Sequence, residues 1–239
     1  MAESPPEKIA SFRARYRTEV VPSGYSAALH VILVVAGAGG GLAAAIALAV
    51  ARGASWRDAW IVPLTALVAN LVEYLAHRGP MHHLRPGLAA LHARHSGRHH
   101  RFFVAEAMPF EGPRDLHAVL FPPVLLLFFG AIAVGLGALV ALFLPTAVAA
   151  LFVASALGYY LLYELLHFLY HVPPNWAAAR WPGVRTLARL HRRHHDPRCM
   201  QHVNFNLVFP LCDRLAGTFD AGTGEPAALM PGNPPGALR

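Results

Sequence analysis

The chain has 239 residues, 55% of them hydrophobic and only 14% charged, against about 25% charged in an average soluble domain. This excludes a disordered chain and argues against an ordinary soluble enzyme. The formal net charge is +7, and the 15 histidines outnumber the 13 acidic residues. Two cysteines, Cys199 and Cys212, cannot build a disulfide scaffold.

In chain order, a largely polar N-terminal stretch leads to Val31–Ala51, which carries no charge. A first membrane span is predicted over 28–51, longer than the apolar core of a signal peptide. Its Gly37, Gly39, Gly40 and Gly41 are expected to permit close helix contact. A second span is predicted over 58–76. From Ala118 to Tyr163 no residue is charged. That run suits two spans, 118–143 and 146–171, broken at Leu144-Pro145. Segments 77–117 and 172–219 join and follow the spans. A Pro/Gly-rich tail, 220–239, is expected to be poorly ordered. The predicted fold class is all-α: a four-helix transmembrane bundle with a histidine-rich helical cap, as one domain over 1–219.

Basic residues set the orientation. Eighteen of the 20 fall in the N-terminal tail, in 77–117 or after span four, leaving Arg52 and Arg57 on the other side. The positive-inside rule then places both termini and both histidine-bearing segments in the cytoplasm. The expected membrane is a bacterial inner membrane, or the endoplasmic reticulum if the source is eukaryotic. Arginines flanking spans fit anionic headgroups better than nucleic acid, and no nucleic-acid partner is expected.

Fourteen histidines lie between 77 and 202, near the ends of spans. Ten form four clusters: His77 and His82; His95, His99 and His100; His167 and His171; His191, His194 and His195. Pairs at i,i+3 or i,i+4 share a helix face, as in His167/His171, His95/His99 and His191/His195. Adjacent pairs such as His99-His100 diverge on a helix and can serve two metals. Neutral imidazole suits iron, zinc, copper or nickel, and ten nitrogens suit two ions. Glu73 precedes His77 by four residues and Glu164 precedes His167 by three, each in apolar helix. A carboxylate there points to function, either accepting the outer N–H of a ligating imidazole or ligating directly. His83, His92 and His202 are possible additional ligands or rim residues. His30 and His117 are expected to be interfacial, as are Phe102 and Phe103. Tyr159, Tyr160, Tyr163 and Tyr170 either line an approach along span four or belt the interface.

The motifs Glu73-Tyr-Leu-Ala-His77-Arg-Gly-Pro-Met-His82, His95-x3-His99-His100, His167-x3-His171 and His191-x2-His194-His195 come in this order. With the ending Asn204-Phe-Asn…Asp213-Arg-Leu-Ala-Gly217-Thr218, the sequence resembles the fatty acid hydroxylase and sterol desaturase superfamily of membrane-bound di-iron oxygenases. The resemblance runs from about residue 60 to 219 and is closest to fatty acid 2-hydroxylases lacking a cytochrome b5 domain. Asn206 stands where the family has Gly, and Cys212 where it has Trp.

The resemblance implies an oxidoreductase holding two iron ions on the ten histidines, with zinc able to occupy the site in a purified sample. Glu73, Glu164, Asn204 and Asp213 would support the ligands. O₂ would be the co-substrate, with electrons from a separate ferredoxin or cytochrome b5-like donor drawn to the arginine-rich face. The expected reaction is hydroxylation of a membrane lipid, a fatty acyl or sphingolipid chain, with Arg78 and Arg98 at its headgroup. A sterol or carotenoid/isoprenoid hydroxylase or desaturase is the alternative. A non-enzymatic metal-binding or transport protein is the reading from another class. A transporter, however, would carry ionisable groups near mid-bilayer.

Overall fold

A computed structural model describes residues 4–222, so tail residues 223–239 lie outside the described residues. Ten α-helices, several short 3-10 or π segments and no strand occur among the described residues. They are α1 (Pro5–Arg15), α2 (Ala27–Ala51), α3 (Ile61–Ala76), α4 (Ala89–Arg94), α5 (His100–Phe102), α6 (Leu116–Val119), α7 (Pro123–Val140), α8 (Thr146–Tyr170), α9 (Pro182–His194) and α10 (Leu211–Leu215). Four of them, α2, α3, α7 and α8, are the cores of four segments long and apolar enough to cross a membrane.

Local chemistry sets the helix ends. Ser26 caps α2, its Oγ accepting the Leu29 N–H at 3.2 Å. Helix α7 begins at Pro123, five residues inside the expected 118–143. The reason is Pro122-Pro123: proline favours the first helical position and forces the preceding chain to be extended. Residues 116–119 form the separate α6 instead. Helix α8 likewise starts just after Pro145.

Helix α8 is central, with α2, α3 and α7 packed around it. Two of the four span-one glycines permit the close approach. A Cβ on Gly37 would stand 2.7 Å from Leu126 Cδ2, and one on Gly41 3.0 Å from Leu157 Cδ1. Gly39 and Gly40 face open space. The tightest approach among the described glycines lies between α7 and α8: a Cβ on Gly137 would meet Val153 Cγ2 at 2.5 Å. Outward-facing Ile32, Leu71, Leu127 and Leu139 are exposed, as lipid-facing side chains are.

The C-termini of α3 and α8 and the N-termini of α2 and α7 meet at one end, under a cap made of the remaining helices and loops. The N-terminal helix belongs to that cap. Buried Arg13 donates from Nε to the Phe102 carbonyl at 2.9 Å, from Nη2 to the Ala107 carbonyl at 2.5 Å, and from Nη1 to Glu111 at 2.5 Å. Arg17 grips Asp115 with two bonds of 2.7 and 2.8 Å. Phe102 and Phe103, expected at the interface, are fully buried under this clamp.

Gly137→Ala is expected to lower the thermal unfolding midpoint in detergent, at a cost of about 1–3 kcal/mol from overpacking. Adding Val153→Ala should restore most of it. An unchanged midpoint in the single variant would refute the close α7–α8 contact.

Candidate metal centre

The ten histidines of the four clusters are all buried and meet at the cap end of α3 and α8. They sort into two groups. In the first, His77, His82, His95, His100 and His194 bring ligand atoms within 4.8 Å of one another. In the second, His99, His167, His171 and His191 do the same. His195 completes the second, its Nε2 lying 3.2 Å from that of His99 and 3.0 Å from that of His191. Its ring also stacks on His100 at 4.2 Å between centroids, so the groups share a wall.

A kink and a wide π-type turn produce this sorting. His77–Met81 is kinked at Gly79, whose carbonyl takes the His82 N–H at 3.1 Å. His95–His99 closes with an i→i+5 hydrogen bond from the His100 N–H to the His95 carbonyl, a geometry common at functional sites. Such a turn brings i and i+5 to one side. His95 therefore joins His100, and the expected i,i+4 partnership of His95 with His99 is split between groups. The signal was present as a repeated spacing, since His77/His82 and His95/His100 are both five apart. His99-His100 and His194-His195 diverge into different groups, as neighbours on a helix do.

Five of the ten outer ring nitrogens go to backbone carbonyls, while Nδ1 of His100 and of His191 is buried with no hydrogen-bond partner among the described residues. Nδ1–H of His77 donates to the Phe205 carbonyl, of His99 to Ala118 at 2.9 Å, and of His171 to Met108 at 2.9 Å. His194 donates to Val203 at 2.8 Å and His195 to Phe103 at 2.6 Å. A proton on Nδ1 leaves a lone pair on Nε2. The Nε2 atoms nonetheless crowd together: His77 to His95 2.8 Å, His82 to His194 3.0 Å, His99 to His167 3.2 Å, His171 to His191 3.2 Å. For His99 and His195 both protons are placed on Nδ1, so two lone pairs face each other at 3.2 Å. No hydrogen bond can join them; a cation between them can. Adjacent nitrogens on an ion with bonds of about 2.1 Å stand about 3 Å apart, so the donor set fits two first-row metal ions.

Burial keeps the rings in the ligating state. Desolvation pushes His82, His95, His99, His100, His191, His194 and His195 below the ordinary imidazole value. His171 is pushed down to about 3 by the same cause, against the Met108 hydrogen bond.

An apolar cavity runs from this centre between α3, α7 and α8. Val68, Val72, Ile132, Leu136 and Phe152 wall its far part; His77, Glu73, Phe121, Tyr160 and Tyr163 close its cap end. Along α8 the distance from Phe152 to Tyr163 is about 16 Å of helix rise. Tyr159 and Tyr163 are buried against it rather than belted at an interface.

The model of the family described as "Fatty acid hydroxylase" matches residues 62–218. The chain belongs to the fatty acid hydroxylase family. Searches of curated proteins and of solved structures return no match. This family is one of hydroxylases and desaturases, so the coarse activity is that of a metal-dependent membrane oxidoreductase.

In this member of the family, the four supporting residues act through backbone rather than through imidazole N–H groups. Glu73 accepts the Leu207 N–H and the Val208 N–H (3.3 Å) on Oε1, and the Tyr159 hydroxyl at 2.5 Å on Oε2. Asp213, fully buried, accepts the N–H groups of Phe205 (2.9 Å) and Asn206 (2.8 Å) and the Thr218 hydroxyl. Asn204 adopts a left-handed φ of 55° and donates from Nδ2 to the carbonyls of Leu190 and Asp220. Together these hold the loop whose Val203 and Phe205 carbonyls orient His194 and His77. Glu164 accepts the Phe121 N–H at 3.4 Å on Oε2, while its buried Oε1 has no partner among the described residues.

His83 and His202 are exposed, outside both groups, and half-buried His92 is outside them too. Arg78 and Arg98 are exposed at the cap. Arg78 lies 5.7 Å over the Tyr74 ring and donates to its hydroxyl. His30 and His117, expected at the interface, are joined to tyrosines by hydrogen bonds. The carbonyl acceptors are what sequence reasoning missed, since any residue type can supply a backbone carbonyl.

The depressed imidazoles fix a pH dependence. In the unfolded chain these rings titrate near 6.5, so it binds more protons than the folded chain as pH falls below that value. Metal-free stability is therefore full above about pH 7 and lost below it, by up to about 1 kcal/mol per pH unit for each ring. Thermal unfolding of chelator-treated protein in detergent, scanned from about pH 8 to 5, should show a steep fall in midpoint. A flat profile would contradict the buried, neutral rings.

Proposed function

We propose that this chain is a di-iron oxygenase that hydroxylates an unactivated C–H bond of a membrane lipid, a fatty acyl or sphingolipid chain. The carrying observation is the juxtaposition of two converging imidazole groups with an apolar, membrane-level cavity that ends at His77. His77, His82, His95, His100 and His194 hold one ion, and His99, His167, His171, His191 and His195 the other. When bound, such a pair supplies reductive activation of O₂, with the balance RH + O₂ + 2 e⁻ + 2 H⁺ → ROH + H₂O.

The protein's share is positioning and exclusion. The cavity holds an acyl chain along α3, α7 and α8, with apolar walls that exclude water from the reacting carbon. The lipid headgroup remains at the cap, where Arg78 and Arg98 meet it. Phe205 packs its ring edge against His77 and His194 and shields the first group. The backbone carbonyls hold the rings at fixed orientation, so substrate arrives at a preorganised centre. The catalytic domain is 1–219, with segments 77–117 and 172–219 on the cytoplasmic side. A separate acidic electron donor, a ferredoxin or cytochrome b5-like protein, docks on the exposed arginines of the cap, Arg185, Arg189 and Arg192 of α9 among them.

Two measurements test this reading. Protein purified from iron-replete cells should contain about two metal ions per chain, and His99→Ala or His194→Ala should each remove about one or more. A stoichiometry near zero, or one indifferent to both substitutions, would refute the paired centre. Lipid mass spectrometry of cells with and without the gene should reveal an acyl lipid heavier by one oxygen. A sterol or carotenoid product, or a lipid lighter by two hydrogens, would redirect the substrate or the reaction. No change in any lipid class would refute the enzymatic reading.

A further inference from the structure

A second cavity lies on another side of the bundle, where the start of α2, Arg94 of α4 and the Pro122-Pro123 start of α7 meet. It shares no lining residue with the cavity that ends at His77. Its floor carries an unusual cation. Arg94 is half-buried and forms no ion pair among the described residues. Both Nη2 hydrogens go to carbonyls, His117 at 3.0 Å and Leu120 at 2.5 Å. Nε and Nη1 have no hydrogen-bond partner among the described residues, yet they are not sealed from solvent-sized space. Three N–H donors of a guanidinium are thus left for something that enters the cavity.

The surroundings supply no counter-charge. The nearest carboxylate in effect, Glu164, lies beyond the 120–121 peptide, whose carbonyl takes Arg94 and whose N–H donates to Glu164. His30 donates from Nε2 to the Phe121 carbonyl at 2.8 Å and accepts the Tyr25 hydroxyl on Nδ1 at 2.9 Å, so it is a neutral wall. A half-buried cation with open donors gains a charge-assisted pair when an anion joins it. Beyond Tyr25, Ser26 and His117, the remaining wall is apolar and faces lipid: Leu29 is 55% and Leu33 47% exposed. The combination selects an amphiphile with an oxyanion head.

We propose that this cavity binds an anionic phospholipid, its phosphate on the Nε and Nη1 hydrogens of Arg94 and an acyl chain along Leu29 and Leu33. Basic pockets between transmembrane helices recognise headgroups in this way. The site is separate from the oxidation site, and its lipid acts as a structural ligand. The phosphate would tie α2 and α7 to α4, one residue before His95.

The test uses the full chain in neutral detergent. Dioleoyl phosphatidylglycerol, dioleoyl phosphatidylcholine or inorganic phosphate is added at equal concentration. Native mass spectrometry counts retained lipid, and the unfolding midpoint is read in parallel. Phosphatidylglycerol is expected to stay bound at one per chain and to raise the midpoint; the other two probes should not. Arg94→Gln should weaken retention by about tenfold or more, the scale of a lost charge-assisted pair. Leu33→Trp keeps Arg94 and its neighbour His95 and fills the lipid-facing wall. It too should weaken retention, with metal content as in the wild type. Retention unaffected in both variants would overturn the site. Equal stabilisation by inorganic phosphate would overturn the lipid as its occupant.

Discussion

The structure depends on a conflict between like lone pairs. Ten imidazoles are withdrawn from water in one small volume, and those with carbonyl partners are locked with the proton on the outer nitrogen. Their inner nitrogens face one another at about 3 Å, as between His99 and His195. Protonation would relieve the facing pairs but would place charge in a desolvated interior, next to arginines. A metal cation relieves them without a proton. The four-helix scaffold, the cap and the C-terminal loop are all arranged around that requirement.

The loop at 203–208 shows how the arrangement is enforced. It must present the Val203 and Phe205 carbonyls to His194 and His77, which leaves its own N–H groups in need of acceptors. Carboxylates fill that need: Asp213 takes Phe205 and Asn206, and Glu73 takes Leu207 and Val208. A backbone loop buried without such partners would carry several unsatisfied donors. Glu73 therefore lies in apolar helix for a reason different from metal ligation. It completes the hydrogen bonding of the segment that aims the ligands.

The spans and the histidine clusters were legible in the sequence because both are recorded in side-chain type. Apolar length predicts a span, and clustered imidazole predicts a metal site wherever the chain folds. The partition of the imidazoles was less legible. An α-helical rule pairs His95 with His99, whereas a π-type turn pairs it with His100, and Gly97 only hints at such a turn. The carbonyl acceptors were illegible, since Met108 or Ala118 contributes nothing of its side chain to that bond. Arg13 and Phe102 illustrate a third limit. Composition places an arginine in a solvated tail and a phenylalanine at an interface, but the fold buries one against the other at 5.0 Å from guanidinium carbon to ring centre.

The basic cap raises an electrostatic question that the helix directions answer. Arginines attract anions but oppose the entry of metal cations into the same region. Helices α3, α8 and α9 all run toward the imidazole groups and end there, at Ala76, Tyr170 and His194. A helix C-terminus carries a partial negative charge of about half a unit, effective within its last turn. His167, His191 and His194 belong to those last turns, and His77 and His171 immediately follow them. Three such termini converging on one volume favour cations there. Most cap arginines, Arg78, Arg98, Arg185, Arg189 and Arg192 among them, act from the exposed surface through a higher effective dielectric, and buried Arg13 is paired with Glu111. The same chain can therefore be basic at its surface, where lipid headgroups and an acidic partner are met, and cation-seeking in its interior.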